Sequence, residues 1–266
     1  MMRVALCCGL LLAASTTVAQ AQEGLSLSVG ADYSTGEYGS ETTTEIFSVP
    51  FSAKWASDRW TWKASLPWLR VDGDPSVLPG LGGVINTNPR GRGRGGTPVP
   101  DPTEPVESGT ASGIGDLRLS ATYALSTGPL GVDLTGLVKV PTADEDKGLG
   151  TGETDYGIAV DLYRDFDGTL LFGGAGYTLL GDNEYLPLRN VANANIGASR
   201  TMGAGTLGLV YDWRQAATEG RDDRSELTGF YSMRAGERGK VQVYASAGLS
   251  DGSPDWGAGV NFTTGF

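Results

Sequence analysis

Apolar side chains recur at every second position in block after block of this chain, the repeat of a β-strand, whose successive side chains point to opposite faces. Leu25, Leu27, Val29, Ala31 and Tyr33 alternate with Ser26, Ser28, Gly30 and Asp32. Phe47 to Trp55 and Trp60 to Trp68 repeat the pattern, as do Leu117 to Leu125, Leu130 to Val140, Tyr156 to Leu162 and Leu171 to Leu179. Ala192 to Ala198 is a weaker block, followed by Leu207 to Trp213, Leu227 to Met233, Val241 to Leu249 and Trp256 to Phe266. No sustained 3.6-residue period competes with this reading. About twelve strands are expected, each near the roughly ten residues that a tilted strand needs to cross a membrane.

Alternation alone fits a soluble sandwich as well as a membrane barrel, because both have one apolar and one polar face. The apolar faces carry no charge in mid-strand; Glu45, Arg70, Arg164 and Arg200 fall at strand ends, where long side chains reach a polar interface. Connection lengths separate the two folds. Turns of about four residues, such as Ala56–Arg59 and Ser126–Pro129, follow the even-numbered blocks, and longer loops follow the odd ones, above all 72–112 and 142–154. This pattern predicts an all-β, transmembrane, antiparallel up-and-down β-barrel with short periplasmic turns and long extracellular loops. Tyr33, Trp55, Trp60, Trp68, Tyr123, Tyr177, Trp213 and Trp256 are placed to form aromatic girdles in outer-membrane lipid. The last block ends on Phe266 with apolar residues at alternate positions, which resembles the terminal signature that barrel-assembly machinery recognises.

Arg3, the apolar run Val4–Ala14 and the small-x-small triplet Ala19-Gln20-Ala21 predict a cleaved export signal over residues 1–21, leaving 22–266 as the barrel. Both cysteines, Cys7 and Cys8, fall within that signal. Export to the Gram-negative outer membrane follows from these two expectations together. The 266 residues include no histidine, so Ser-His-Asp, Cys-His and His-ligated zinc chemistry are unavailable and no enzyme or cofactor is expected. A net charge of -11 argues against a nucleic-acid partner. Asp144-Glu145-Asp146-Lys147-Gly148 lacks the glutamate and flanking helices of a calcium loop, so no metal is expected there either.

Twelve strands leave a narrow or partly occluded passage. Counting away from the Ser126–Pro129 turn sets Asp116 about opposite Lys139, with Asp155 at a similar height. These three and Arg118 form a candidate cluster below the outer mouth, either neutralising the interior and fixing register or forming a selectivity constriction. Lys63, Asp133, Asp161, Asp212, Arg214 and Glu226 are further lumen candidates, and Lys54, Arg224, Arg234 and Lys240 fall on the same inward faces. Inward charge nearly balances; the outer loops hold the acidic excess. Within the long loop, Arg90, Arg92 and Arg94 punctuate a glycine-rich run. They belong either to a surface loop touching lipopolysaccharide phosphates or to a segment folded into the lumen, and the sequence leaves both open.

Gly113-Ile114-Gly115-Asp116, Lys139-Val140-Pro141-Thr142-Ala143-Asp144 and Gly148-Leu149-Gly150-Thr151-Gly152-Glu153-Thr154-Asp155-Tyr156 resemble a family of outer-membrane transporters named for the meta-pathway of phenol degradation. The resemblance is clearest over residues 113–182 and does not extend to the arginine- and proline-rich loop. It implies a barrel that admits small hydrophobic or aromatic compounds. The function expected is passive uptake of small solutes; the alternative is a structural or adhesive barrel with an occluded lumen and active surface loops.

Overall fold

In the computed structural model, which describes residues 23–92 and 108–266, the wall is a single antiparallel sheet closed on itself. The export signal expected over 1–21 and Arg94 lie outside the described residues. The first strands are β1 (Gly24–Gly36), β2 (Thr44–Ser57) and β3 (Trp60–Gly73). Two short strands, β4 (Val77–Leu78) and β5 (Gly82–Gly83), pair only with each other. Next come β6 (Gly109–Ile114), β7 (Leu117–Thr127), β8 (Gly131–Val140), β9 (Asp155–Phe166) and β10 (Thr169–Leu179). The wall ends with β11 (Val191–Met202), β12 (Gly205–Arg214), β13 (Arg224–Ala235), β14 (Gly239–Gly248) and β15 (Trp256–Gly265).

Both β6 and β7 pair with β3 and make one wall strand in two pieces, so the barrel has the twelve strands expected from the sequence. Every expected block coincides with one of them. Closure is made by β1 against β15, in register from Ser26↔Gly265 to Thr35↔Trp256. Among the described residues there is no helix.

The molecule is inverted relative to a soluble protein. Ile158, Ile196 and Leu209 on the outer face are 62 %, 66 % and 51 % exposed, whereas Asp161, Thr135 and Thr228 on the inner face are buried. A barrel has no sheet edge, so each strand's peptide groups are paired within the wall, as a hydrocarbon surround requires. Trp55, Trp60, Trp62 and Tyr123 gather near the short-turn end, with Trp60 stacked on Trp62 at 5.4 Å and 4.9 Å from Tyr123. Tyr33 with Trp256 and Phe47 with Trp68 stand toward the other end. These are the two expected girdles. The turns are tight: Asp167-Gly168, with φ of 51° and 82°, has the left-handed pair that a two-residue hairpin demands.

An apolar cluster lies inside the barrel between β9 and β14. Tyr163, Leu170, Phe172, Val210 and Phe230 form a buried cluster against which Tyr244 packs. Glycines on neighbouring strands make room for these rings: a Cβ on Gly197 would lie 2.4 Å from Phe172, and one on Gly208 would lie 2.2 Å from Phe230. Gly208→Ala should therefore overpack the interior and cost about 1–3 kcal/mol. Gly136→Ala, at a glycine with nothing within 4 Å of the added atom, should leave the urea unfolding midpoint of the refolded barrel unchanged. Equal midpoints for the two variants would contradict this packing.

Candidate functional site

The site lies where the charged inner faces of β7, β8 and β9 meet a chain segment folded into the outer mouth. Arg118, Lys139 and Asp155 stand in one row across those three strands, directly opposite one another. Asp116 joins them through a bulge. The pairing of β3 changes by one residue between Trp68↔Ile114 and Ser65↔Arg118, leaving Gly115 and Asp116 outside the ladder. The loop after β8 caps that break: the Thr142 hydroxyl donates to the Gly115 carbonyl at 2.8 Å and accepts from the Leu117 amide at 2.9 Å. The Ala143 amide donates to Asp116 at 3.1 Å.

Lys139 Nζ is then 2.8 Å from Asp155, 3.6 Å from Asp116 and 2.7 Å from the Thr151 hydroxyl, with all four side chains buried. Asp155 also accepts from the Gly181 amide at 3.1 Å. Gly150 allows the close approach, since a Cβ there would sit 2.7 Å from the Asp116 carboxylate. The structure thus brings together Asp116, Lys139 and Asp155, but the residue opposite Lys139 is Arg118, not Asp116 as counting from the turn had set it, because β7 and β8 close on Thr127↔Gly131 and shift register between Ala124 and Ser126. The sequence reading missed Thr151, although it lies inside the Gly-Leu-Gly-Thr-Gly run that carries the family resemblance.

Of the two placements left open for the long loop, residues 74–92 take the inward one. Leu78-Pro79-Gly80-Leu81 is a β-turn closed by the Leu81 amide on the Leu78 carbonyl, with proline second and Gly80 at φ 81°. Its apolar residues reach two sides of the mouth. Val77 packs with Tyr38, Ile46, Leu69, Val71 and Leu149. Leu78, Leu81 and Val84 pack with Leu186, Val191 and Ala217. At the tip, Arg214 of β12 donates to the Gly80 carbonyl.

Arg92 holds the base of this hairpin and is 4 % exposed. Its guanidinium donates to the carbonyls of Asp74 at 2.6 Å, Val77 at 3.0 Å and Gly148 at 2.9 Å, stitching the hairpin to the loop after β8. Burial pushes it down to about 10, against the opposing pull of Asp74 and Asp72, so it stays charged at neutral pH. Arg90 is exposed and 3.6 Å from Asp146.

The remaining candidates stand elsewhere in the interior. Asp212 and Glu226 face each other across β12 and β13, with Arg224 donating to Glu226. Asp133 and Asp161 are directly opposite each other on β8 and β9, away from the Lys139 cluster, and the Tyr163 hydroxyl donates to Asp133. Lys63 lies opposite Lys54. The Asp32–Tyr244 hydrogen bond was not anticipated, though alternation had set Asp32 on the inner face.

An apolar-coated closed barrel with a polar interior and aromatic bands at both ends is an outer-membrane β-barrel. The model of the family described as "Putative MetA-pathway of phenol degradation" matches residues 68–266, and the chain belongs to that family. Among solved structures it is similar to the COG4313 outer membrane channel from Pseudomonas putida F1, with 15 % identity, a TM-score of 0.63, and coverage of 92 % of this chain and 96 % of that one. It is also similar to the β domain of the Bordetella autotransporter BrkA, with 12 % identity, a TM-score of 0.51, and coverage of 91 % and 99 %. The Ralstonia pickettii toluene transporter TbuX aligns at 14 % identity and a TM-score of 0.49 over 92 % and 90 %. No curated protein sequence matches the chain.

Removing one partner of a buried ion network leaves the others uncompensated. Lys139→Met should cost about 3–5 kcal/mol in urea unfolding of the refolded barrel. Adding Asp155→Asn should restore part of that loss. A single variant as stable as the parent would show that the three groups do not act as a unit.

Proposed function

We propose that this protein is an outer-membrane channel for passive uptake of small solutes, hydrophobic or aromatic compounds among them, closed at its outer mouth by the 74–92 hairpin. The observation that carries this reading is the charge inside the barrel. A barrel serving only as a scaffold is filled at least cost by apolar side chains, because buried ion pairs seldom repay their desolvation. Here an apolar cluster occupies part of the β9–β13 side, while Asp116, Arg118, Lys139, Asp155, Asp212 and Glu226 also face the interior. Ionisable groups at membrane depth mark solute or ion paths. Family membership supports a small hydrophobic or aromatic cargo. On this reading the Asp116–Lys139–Asp155 cluster, with Arg118, is the constriction beneath the hairpin.

The occluded-barrel alternative finds its support in the same hairpin, which bridges two sides of the mouth. Arg92 separates the two readings, since its removal deletes the bonds that tie Asp74, Val77 and Gly148 together. Arg92→Ala should raise open probability in planar bilayers several-fold over the parent while the barrel still migrates as a folded, heat-modifiable band. A folded Arg92→Ala protein that passes neither current nor small solutes would overturn the channel reading in favour of a plugged barrel.

A further inference from the structure

The strands tilt, so a row of directly opposed residues climbs from the short-turn end of the barrel to the loop end. One such row is basic and hydroxylic. It starts low, with Arg234 opposite Lys240 and Lys240 opposite Thr263. It continues through Ser28, Ser52 and Ser65, and reaches Arg118 and Lys139 beneath the hairpin. The Ser28 and Thr263 hydroxyls are 2.8 Å apart. Lys54 and Lys63, opposite each other, flank Ser52 and Ser65 on the low side. The row and its flank therefore hold three like-charged cross-strand pairs, an arrangement that destabilises a sheet by itself. The upper pair has Asp116 and Asp155 beside it. At the lower end the Lys240 ammonium is buried with no hydrogen-bond acceptor.

A second row climbs the other half of the wall and is acidic. Asp133, Asp161, Gly174, Asn195, Asp212 and Glu226 are successive opposed partners from β8 to β13. In the acidic row Asp133, Asp161 and Glu226 are 2 %, 0 % and 7 % exposed and Asn195 and Asp212 are part-buried, on the side where the Phe172–Phe230 cluster packs. Ser28, Ser52, Lys54, Lys63, Ser65 and Thr263 are part-buried, and Lys240 is part-buried along its stem with its ammonium enclosed. Basic and hydroxylic groups thus line one side of the interior and carboxylates the other, and the field between them favours an anion on the basic side.

Resting on the channel reading above, we infer that the β14–β15–β1–β2–β3 side of the lumen is a track for small organic anions, carboxylates or phenolates, in which lysines hold the charge and hydroxyls bridge between them. The solute class becomes a small, anion-bearing molecule. An anion would also supply the acceptor that Lys240 lacks.

The test is the reversal potential of single channels under a potassium benzoate gradient, for the parent protein and for Lys54→Gln/Lys63→Gln/Lys240→Gln, with Lys240→Gln alone used should the triple variant fail to fold. Both are studied in the Arg92→Ala background as well, so that the hairpin does not silence the current. Benzoate should permeate in preference to potassium, and the triple variant should lower that ratio several-fold while still conducting. Preference for potassium in the parent, or an unchanged ratio in the variants, overturns the track and leaves the channel reading standing. Absence of any current in both backgrounds overturns the two together.

Discussion

An unpaired peptide group in hydrocarbon has no water to turn to, and every other property of this protein follows from meeting that constraint with strands. Closure of β1 on β15 removes the two sheet edges that would otherwise face lipid. Period-two geometry then commits alternate residues to opposite solvents, so the apolar side chains go outward and the charged ones have only the interior left.

Sorting alone does not keep charges stable in a confined space. The structure handles the problem differently in its two halves. From β9 to β13, aromatic rings lie over glycines such as Gly197 and Gly208, and packed apolar surface shields the carboxylate row. Near the outer mouth, charges neutralise one another within hydrogen-bond distance, and loop amides from Ala143 and Gly181 satisfy the remaining lone pairs. A carboxylate such as Asp155 that accepts from both an ammonium and an amide has a partner on each oxygen, which offsets part of the hydration it lost.

Strand number, strand blocks, inward and outward faces, turn placement and the neighbourhood shared by Asp116, Lys139 and Asp155 were legible in the sequence, because each depends on local period or on counting back from a tight turn, though the count missed by two residues which side chain stands opposite Lys139. The bulge at Gly115–Asp116 was not, since the apolar pattern simply restarts at Leu117 and one extra residue leaves no compositional mark. The fate of the long loop was equally hidden. Arg92 is held by carbonyls of residues 74, 77 and 148, and no local propensity encodes contacts so far apart in the chain. The charged rows were invisible for a related reason: Lys54 and Lys63 can be assigned to the same face from alternation, but only register shows that they stand side by side.

The hairpin of β4 and β5 is inserted between β3 and β6, which are neighbours in the wall and pair directly with each other. Its two ends therefore leave from and return to adjacent strands at the same rim. Displacing it would break none of the strand-to-strand ladders; what it would give up is the packing of Val77 on Ile46, Leu69 and Val71 and the bonds to Thr44 and Arg214. The wall answers to the membrane, which tolerates little variation in length or pattern. The hairpin answers to the mouth it fits, through side-chain packing and not through the period of a strand.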